Sequence, residues 1–183
     1  MRAPRLAGVV ERRLLVNYRV NPEVLTAELP APFRPQLVDG YGVAGICLIR
    51  MGSLRPRHLP ASLGVRSENA AHRVAVEWDT DEGVQRGVYI PRRDTDAALN
   101  VVVGGRLFPG EQHRARFDVH ESDDEVRVAF AAVDGTVAVD VHVRTADALR
   151  GSALFADVAA ASAFFEQGSA GYSARRQGDR VDG

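Results

Sequence analysis

Apolar and polar residues alternate along much of this 183-residue chain, and a period of two residues is typical of β-strands. The first clear case runs from Arg13 to Val20, where one face is apolar and the other carries arginine and asparagine. The same period predicts further strands at 72–78, 84–90, 126–130 and 137–143. The hairpin motif Asp39-Gly40 predicts strands on either side of it, at 36–38 and 41–51, and another strand is expected at 114–121. The pattern therefore predicts seven or eight mostly antiparallel strands.

Turn motifs join several of these strands. Asp39-Gly40 and Asp134-Gly135 predict tight hairpin turns, because both central residues of such turns must accept positive φ. The segment Asp79–Gly83 predicts a third turn, between the strands at 72–78 and 84–90. The segment Gly52–Gly64 contains two prolines and has no period, which predicts a loop.

Capping residues predict short helices at three places. One begins at Asn21-Pro22, one begins at Asp94-Thr95 and continues to about Val103, and one begins at Ser152 and ends at Gly168. The last has an apolar stripe at helical spacing, formed by Leu154, Val158, Ala161 and Phe165. With no repeat and no separating linker, residues 1–183 are expected to form a single α+β, mainly β domain.

The charge balance argues against several partner classes. The chain has 23 basic and 24 acidic residues and a formal net charge of −1, which gives no attraction for nucleic acid or an anionic membrane. No segment approaches the run of about 20 apolar residues that a membrane helix needs. We therefore expect a cytoplasmic protein that binds neither nucleic acid nor membrane.

The residues that usually hold metals and cofactors are sparse and scattered. The five histidines have no zinc-ligand spacing, and no glycine-rich phosphate loop is present, so we expect neither a metal nor a cofactor. Cys47 is the only cysteine, and its apolar neighbours predict a small buried side chain, with a reactive thiol as the alternative.

Two polar stretches stand out as candidate binding residues. Ser67–Arg73 places Glu68, Asn69 and His72 close together before a predicted strand. Arg92-Arg93 ends another strand, and two guanidinium groups in this position can clamp a carboxylate. The alternative is a surface salt-bridge patch that these arginines form with Asp94 and Asp96.

A further set of short motifs carries a family resemblance across nearly the whole chain. They are Tyr18-Arg19, Pro22-Glu23, Leu25, Leu29-Pro30-Ala31-Pro32, Val38-Asp39-Gly40-Tyr41-Gly42, Ser67-Glu68-Asn69, Arg92-Arg93-Asp94, Gly105-Arg106-Leu107-Phe108-Pro109 and Phe164-Phe165-Glu166. In these motifs the chain resembles an uncharacterised bacterial branch of the acetoacetate decarboxylase superfamily. The resemblance implies a barrel-like antiparallel sheet around a small polar cavity, often in homo-oligomers, and a natural chain that continues beyond Gly183.

The same resemblance breaks at the residues that carry the decarboxylase chemistry. Those enzymes form an imine on a lysine that follows a Gly-Arg and a proline, whereas here Gly105-Arg106 and Pro109 are followed by Gly110–His113. The chain contains no lysine at all, so no side chain can form the imine. By the resemblance, Glu68 stands in the position of a cavity glutamate.

Two functional hypotheses follow. In the first, the protein binds a small, anionic organic acid through Arg106, Arg92, Arg93, His72 and Asn69 without decarboxylating it. In the second, it is a lysine-free enzyme acting on a small oxo or hydroxy acid, with Glu68 as general acid or base and His113 or His72 as a proton partner. A third, purely structural interpretation makes the polar clusters surface ion pairs.

Overall fold

The computed structural model describes residues 6–97, 112–167, 171–174 and 181–182. Its eleven strands are β1 (Leu6–Val20), β2 (Arg34–Pro35), β3 (Leu37–Val38), β4 (Tyr41–Pro56), β5 (Val65–Thr80), β6 (Gly83–Thr95), β7 (Gln112–Glu121), β8 (Glu125–Ala132), β9 (Ala138–Arg144), β10 (Gly171–Ala174) and β11 (Val181–Asp182). Two α-helices, α1 (Pro22–Glu28) and α2 (Val158–Gln167), and a 3₁₀ turn at Ala61–Leu63 complete the description. The expected α+β, mainly β class is confirmed.

One sheet runs through the molecule in the order β1-β4-β5-β6-β7-β8-β9. Neighbouring strands are antiparallel except that β6 pairs in parallel with β7 and with β10. Across the described residues, the sheet order begins at β1 and ends at β9 without closing, so the barrel-like description is loose.

The three predicted hairpins form, and the Asp39-Gly40 turn has positive φ at both central residues as its motif requires, whereas at Asp134-Gly135 the glycine alone has positive φ. Asp39 and Gly40 have φ values of 49° and 80° between β3 and β4, and Gly135 has a φ of 72° between β8 and β9. The first helix is also confirmed, since the Asn21 side chain accepts a hydrogen bond of 2.9 Å from the Glu23 amide.

Three boundary predictions are wrong in part. The loop predicted at Gly52–Gly64 is strand as far as Pro56, because β1 pairs along this segment and a bulge at Ser53 absorbs the irregularity. Asp94 and Thr95 end β6 and do not cap a helix; the rest of that prediction, to Val103, lies outside the described residues.

The last helix begins later than predicted. Ser152 accepts hydrogen bonds from the amides of Leu154 and Phe155 in a turn, and Asp157 caps the helix by accepting from Ala160 at 2.8 Å. The predicted end at Gly168 lies outside the described residues.

The two faces of the sheet formed by β1, β4, β5 and β6 are covered by different parts of the chain. We call one the core face: its apolar residues, such as Leu48 and Ala70, pack against Val128 and Phe130 of β8. We call the other the cavity face: here Val43 and Ala75 pack beneath Leu154, just before α2. In the described part of the chain, neither helix is long and apolar enough to cross a membrane.

Candidate functional site

A cavity of about 640 Å³ lies between the cavity face and α2. Its wall is mostly apolar and includes Leu15, Cys47, Ile49, Ala71, Ile90 and Phe165. The predicted apolar stripe of the last helix faces it, since Val158, Ala161 and Phe165 all line the cavity. A largely apolar pocket with a few charged groups is the usual form of a small-molecule site.

Three arginines from three different strands line this cavity: Arg13 of β1, Arg73 of β5 and Arg93 of β6. They share one face because side chains alternate along each strand and the register aligns β1, β4, β5 and β6. Among the described lining residues, the one acidic group is Glu166 at the end of α2. The cavity therefore has an excess of positive charge, and we call it the arginine cavity.

Of the three arginine side chains, that of Arg73 is the one classed as buried. It is 9% exposed, and its Nη2 donates a hydrogen bond to the Asn17 side chain. Its guanidinium also lies 4.7 Å from the centre of the Phe165 ring. Among the described residues its buried Nε has no hydrogen-bond partner, and no carboxylate lies within 4.0 Å of its guanidinium.

Burial lowers the pKa of both Arg73 and Arg93, because an enclosed cation loses the stabilisation that water gives it. The nearby Cys47 raises the pKa of both guanidiniums, against the effect of burial. Arg13 lowers the pKa of Arg73 further by repulsion between the two positive charges. An anion in the cavity would offset this cost by pairing with the buried charge.

Arg93 also lines a second, smaller cavity of about 80 Å³, together with Asn69, Asp94 and Gln112. Asn69 is held in place there by its own hydrogen bonds. Its side-chain nitrogen donates to the Ser67 hydroxyl at 3.0 Å, and its oxygen accepts from Thr95 at 2.8 Å.

Glu68 lies on the core face, in a closed ring of four charges. Arg12 donates to Glu68 at 2.5 Å and also to Glu121, and Arg50 donates to Glu68 at 2.5 Å and to Glu121 at 2.7 Å. The Glu68 side chain is only 11% exposed, and each of its oxygens accepts from an arginine. The ring joins β1, β4 and β5 to β7, and it does not line the arginine cavity.

The predicted pair Arg92-Arg93 is split between the two faces. Arg92 binds the carboxylate of Asp94, with a shortest distance of 2.7 Å, while His72 contacts the same carboxylate at 2.9 Å. Asp94 is fully buried; burial alone would raise its pKa, but the hydrogen bonds with His72 and Arg92 outweigh burial and lower it. Arg92 thus pairs with Asp94, one of the two acids of the alternative interpretation, but the pair is buried and is not a surface patch.

His113 contacts Asp134 at 3.1 Å, in the turn between β8 and β9. The Thr136 hydroxyl and amide, with His113 and Arg92 nearby, hold the pKa of Asp134 well below its usual range. His113 and Arg92 therefore share Asp134 as a partner on the core face. His113 is not among the described residues that line the arginine cavity.

The sequence-predicted residues fall into separate groups. Arg93 lines the arginine cavity and Asn69 the smaller one, whereas Glu68, His72 and Arg92 are on the core face. Arg106 lies outside the described residues. Sequence reasoning missed Arg13 and Arg73 as cavity residues, and the signal that could have found them is their alternation with Arg12 and His72 along each strand.

The described residues contain no group of three or more histidine, cysteine or acidic side chains that could hold a metal ion.

A model of the family DUF2071, described as an uncharacterized conserved protein, matches residues 9–176. The chain belongs to this family. Among curated proteins no sequence matches the chain. Membership confirms the expected relation to an uncharacterised family but assigns no activity.

Solved structures place this DUF2071 chain in a known fold. Acetoacetate decarboxylase from Legionella pneumophila has a TM-score of 0.59 at 15% identity, over 81% of this chain and 53% of that one. An acetoacetate decarboxylase-like enzyme from Sphingomonas wittichii has a TM-score of 0.54 at 16% identity, over 80% and 59%. The enduracididine biosynthesis enzyme MppR complexed with pyruvate has a TM-score of 0.53 at 14% identity, over 78% and 58%.

The likeness shows that the fold is acetoacetate decarboxylase-like, as the sequence motifs implied. The chain spans between 53% and 59% of the length of these three structures.

Proposed function

We propose that this protein binds an organic acid in the cavity between the cavity face and α2, with Arg73 as the main anion-binding group. The observation that carries the proposal is that Arg73 is buried against this cavity with no carboxylate within 4.0 Å among the described residues. A buried cation without a counter-charge costs free energy, and a ligand carboxylate would supply that charge.

The arrangement of the cavity favours an acid with an apolar body. Arg13, Arg73 and Arg93 provide donors for a carboxylate, while side chains such as Ile90 and Phe165 form an apolar wall. The volume of about 640 Å³ is within the range of sites for drug-sized ligands. We therefore expect larger carboxylic acids to bind more tightly than the smallest ones.

The fold neighbours support a cavity for such ligands, since one of them is described as complexed with pyruvate. Their activities do not transfer to this chain. An imine on a side chain requires a lysine, and this sequence has none. The proposal is therefore one of binding without Schiff-base decarboxylation.

The alternative of an enzyme that uses Glu68 as general acid or base receives less support. Both oxygens of Glu68 already accept from arginines at 2.5 Å, and Glu68 does not line the arginine cavity. A general base must reach the proton that it abstracts, and a carboxylate bound in this ring does not reach into the cavity.

Isothermal titration of the purified protein with pyruvate and with phenylpyruvate tests the proposal. We expect binding of at least the larger acid, and a loss of roughly 10- to 100-fold in affinity in Arg73→Gln, because one charge-assisted interaction is removed. Arg66→Gln is the matched control, since the Arg66 side chain is 67% exposed and pairs with Glu11.

Two outcomes would contradict the proposal. One is that neither acid binds the folded wild-type protein. The other is that Arg73→Gln and Arg66→Gln bind the acids as the wild type does, which would place the ligand away from Arg73.

A further inference from the structure

Cys47 is the only cysteine of the sequence, and it lines the arginine cavity. Its side chain is 3% exposed, so a molecule reaches it through the cavity and not from the protein surface. The same wall also carries the Ser162 hydroxyl and the Glu166 carboxylate, and a thiolate is a stronger nucleophile than either of them. Among the described lining residues, Cys47 therefore carries the side chain best suited to attack a carbonyl carbon.

The strand register places Arg13 of β1 and Arg73 of β5 diagonally next to Cys47, and Arg93 of β6 in the same row two strands away. Cys47 pairs with Ala71 of β5, and Ala71 pairs with Arg93 of β6, which forms one row across the cavity face. Arg73 follows Ala71 by two residues on the same face, so it is the diagonal neighbour of Cys47, at roughly 7–8 Å between Cα atoms. The methyl group of Ala71 leaves the space above this row open.

A lone cysteine on a cavity wall is most often a packing residue. This site differs because a buried arginine, Arg73, lines the same cavity. The Arg73 side chain is nine-tenths buried, and its Nε has no hydrogen-bond partner among the described residues. A carboxylate held by this guanidinium would lie in the same cavity as the sulfur atom. The guanidinium would also offset the repulsion between a ligand carboxylate and an attacking thiolate.

We propose that Cys47 is a nucleophile toward the carbon adjacent to the carboxylate of the bound acid, so that the ligand class is electrophilic carboxylic acids such as 2-oxo acids. This inference rests on the proposed binding function and names the reactive group of the same cavity. It assigns to a thiol the carbonyl attack that a chain without lysine cannot carry out through a side-chain amine.

With a 2-oxo acid the step is a reversible addition. The sulfur forms a bond to the carbonyl carbon, the π bond of the carbonyl breaks, and the thiol proton ends on the former carbonyl oxygen to give a hemithioketal. No oxidant, reductant or further reactant is required. With iodoacetate the same geometry gives a substitution: the sulfur–carbon bond forms, the carbon–iodine bond breaks, iodide leaves and the thiol proton passes to solvent.

The experiment compares alkylation of Cys47 by iodoacetate and by its neutral analogue iodoacetamide, followed by intact mass. Because the chain has a single cysteine, one added carboxymethyl or carbamidomethyl group reports this site, and Cys47→Ser identifies reaction elsewhere. The ratio of the iodoacetate rate to the iodoacetamide rate is measured for the native protein and for the same protein unfolded in urea. We expect the ratio to be at least about tenfold higher in the native protein, because the bound carboxylate positions the carbon.

Arg73→Gln should return the ratio toward the value of the unfolded protein, whereas Arg66→Gln should leave it high. If Arg73→Gln does not fold, competition by acetate in the wild-type protein replaces it, since an unreactive carboxylate should slow the iodoacetate reaction. A native ratio equal to the unfolded ratio overturns the inference.

The binding experiment separates failure of the inference from failure of the proposed function. If an acid binds through Arg73 but Cys47 shows no preference for iodoacetate, the cavity is a binding site and Cys47 is not its nucleophile. If neither binding nor preference is found, both proposals are wrong.

Discussion

The two faces of the sheet formed by β1, β4, β5 and β6 differ in how their arginines are paired. The described strands contain two pairs of adjacent arginines, Arg12-Arg13 and Arg92-Arg93, and strand alternation sends one member of each pair to each face. On the core face, Arg12 binds two glutamates and Arg92 binds Asp94. On the cavity face, Arg13 and Arg93 line a cavity whose one described acidic lining residue is Glu166.

The difference is between guanidiniums that the chain pairs with carboxylates and the guanidinium of Arg73, which has no carboxylate partner among the described residues. The ring of Arg12, Arg50, Glu68 and Glu121 alternates in sign and each carboxylate is shared by two arginines, so it joins strands and needs no further ion. Arg73 has an amide and an aromatic ring as its contacts, which leave its charge uncompensated within the described structure. The first arrangement stabilises the fold, and the second is suited to bind an anion.

The largest expected effect comes from breaking the ring. Glu68→Gln leaves two enclosed arginines facing one carboxylate, and removing one partner from a buried ion pair is strongly destabilising. We expect a loss of roughly 3 kcal/mol in the free energy of unfolding, measured by urea denaturation. Glu125→Gln is the matched control at the start of β8, where the partner Arg144 is 73% exposed, and it should change the unfolding free energy far less. Equal small losses in both variants would show that the ring does not stabilise the protein.

The next effect contrasts the same substitution on the two faces. Arg50→Met leaves the two ring carboxylates with Arg12 alone and should cost roughly 2 kcal/mol. Arg73→Met removes a buried cation that has no carboxylate partner among the described residues, so the unfolding free energy in ligand-free buffer should stay within about 1 kcal/mol of wild type. Urea denaturation of the two variants side by side is the measurement. An Arg73→Met protein as unstable as Arg50→Met would mean that Arg73 serves the fold.

Local patterns predicted most of the elements, because strands and hairpins depend on alternation and turn residues that are adjacent in sequence. The Asp39-Gly40 turn and the Asn21 cap formed as predicted for this reason. The helix assigned to Asp94-Thr95 failed because β6 continues through these residues, pairing with β5 and with β7, which short capping motifs do not report.

The candidate site was less predictable because its partners are distant in sequence. Glu68 binds Arg12, 56 residues earlier, and the ring closes through Glu121 from another strand. Alternation alone could have assigned Arg92 and Arg93 to opposite faces. It does not show that α2 covers the cavity face, so it gives no reason to expect that the polar side of β1 lines a cavity.

A smaller effect should appear when the ring is titrated. Burial by itself raises the pKa of Glu121, but hydrogen bonds from Arg12 and Arg50 outweigh it and hold the pKa below the usual value of 4.5. A depressed folded-state pKa contributes stability that is complete above pH 4.5 and is lost as the pH falls through the folded value. The unfolding free energy should therefore decrease below pH 4.5, and less so in Glu121→Gln, when urea denaturation is repeated across this range. An identical pH dependence in wild type and Glu121→Gln would contradict this account.

The smallest expected effect lies within the cavity face and tests whether burial decides how much each arginine contributes. Arg13 is exposed whereas Arg73 is 9% exposed, so solvent and salt screen Arg13 much more strongly. We expect Arg13→Gln to weaken phenylpyruvate binding only about two- to threefold, and raising the salt concentration to remove most of that difference. Titration calorimetry at low and high salt, with Arg73→Gln alongside, gives the comparison. If Arg13→Gln instead costs as much affinity as Arg73→Gln at both salt concentrations, the acid binds at the mouth of the cavity and not against its buried arginine.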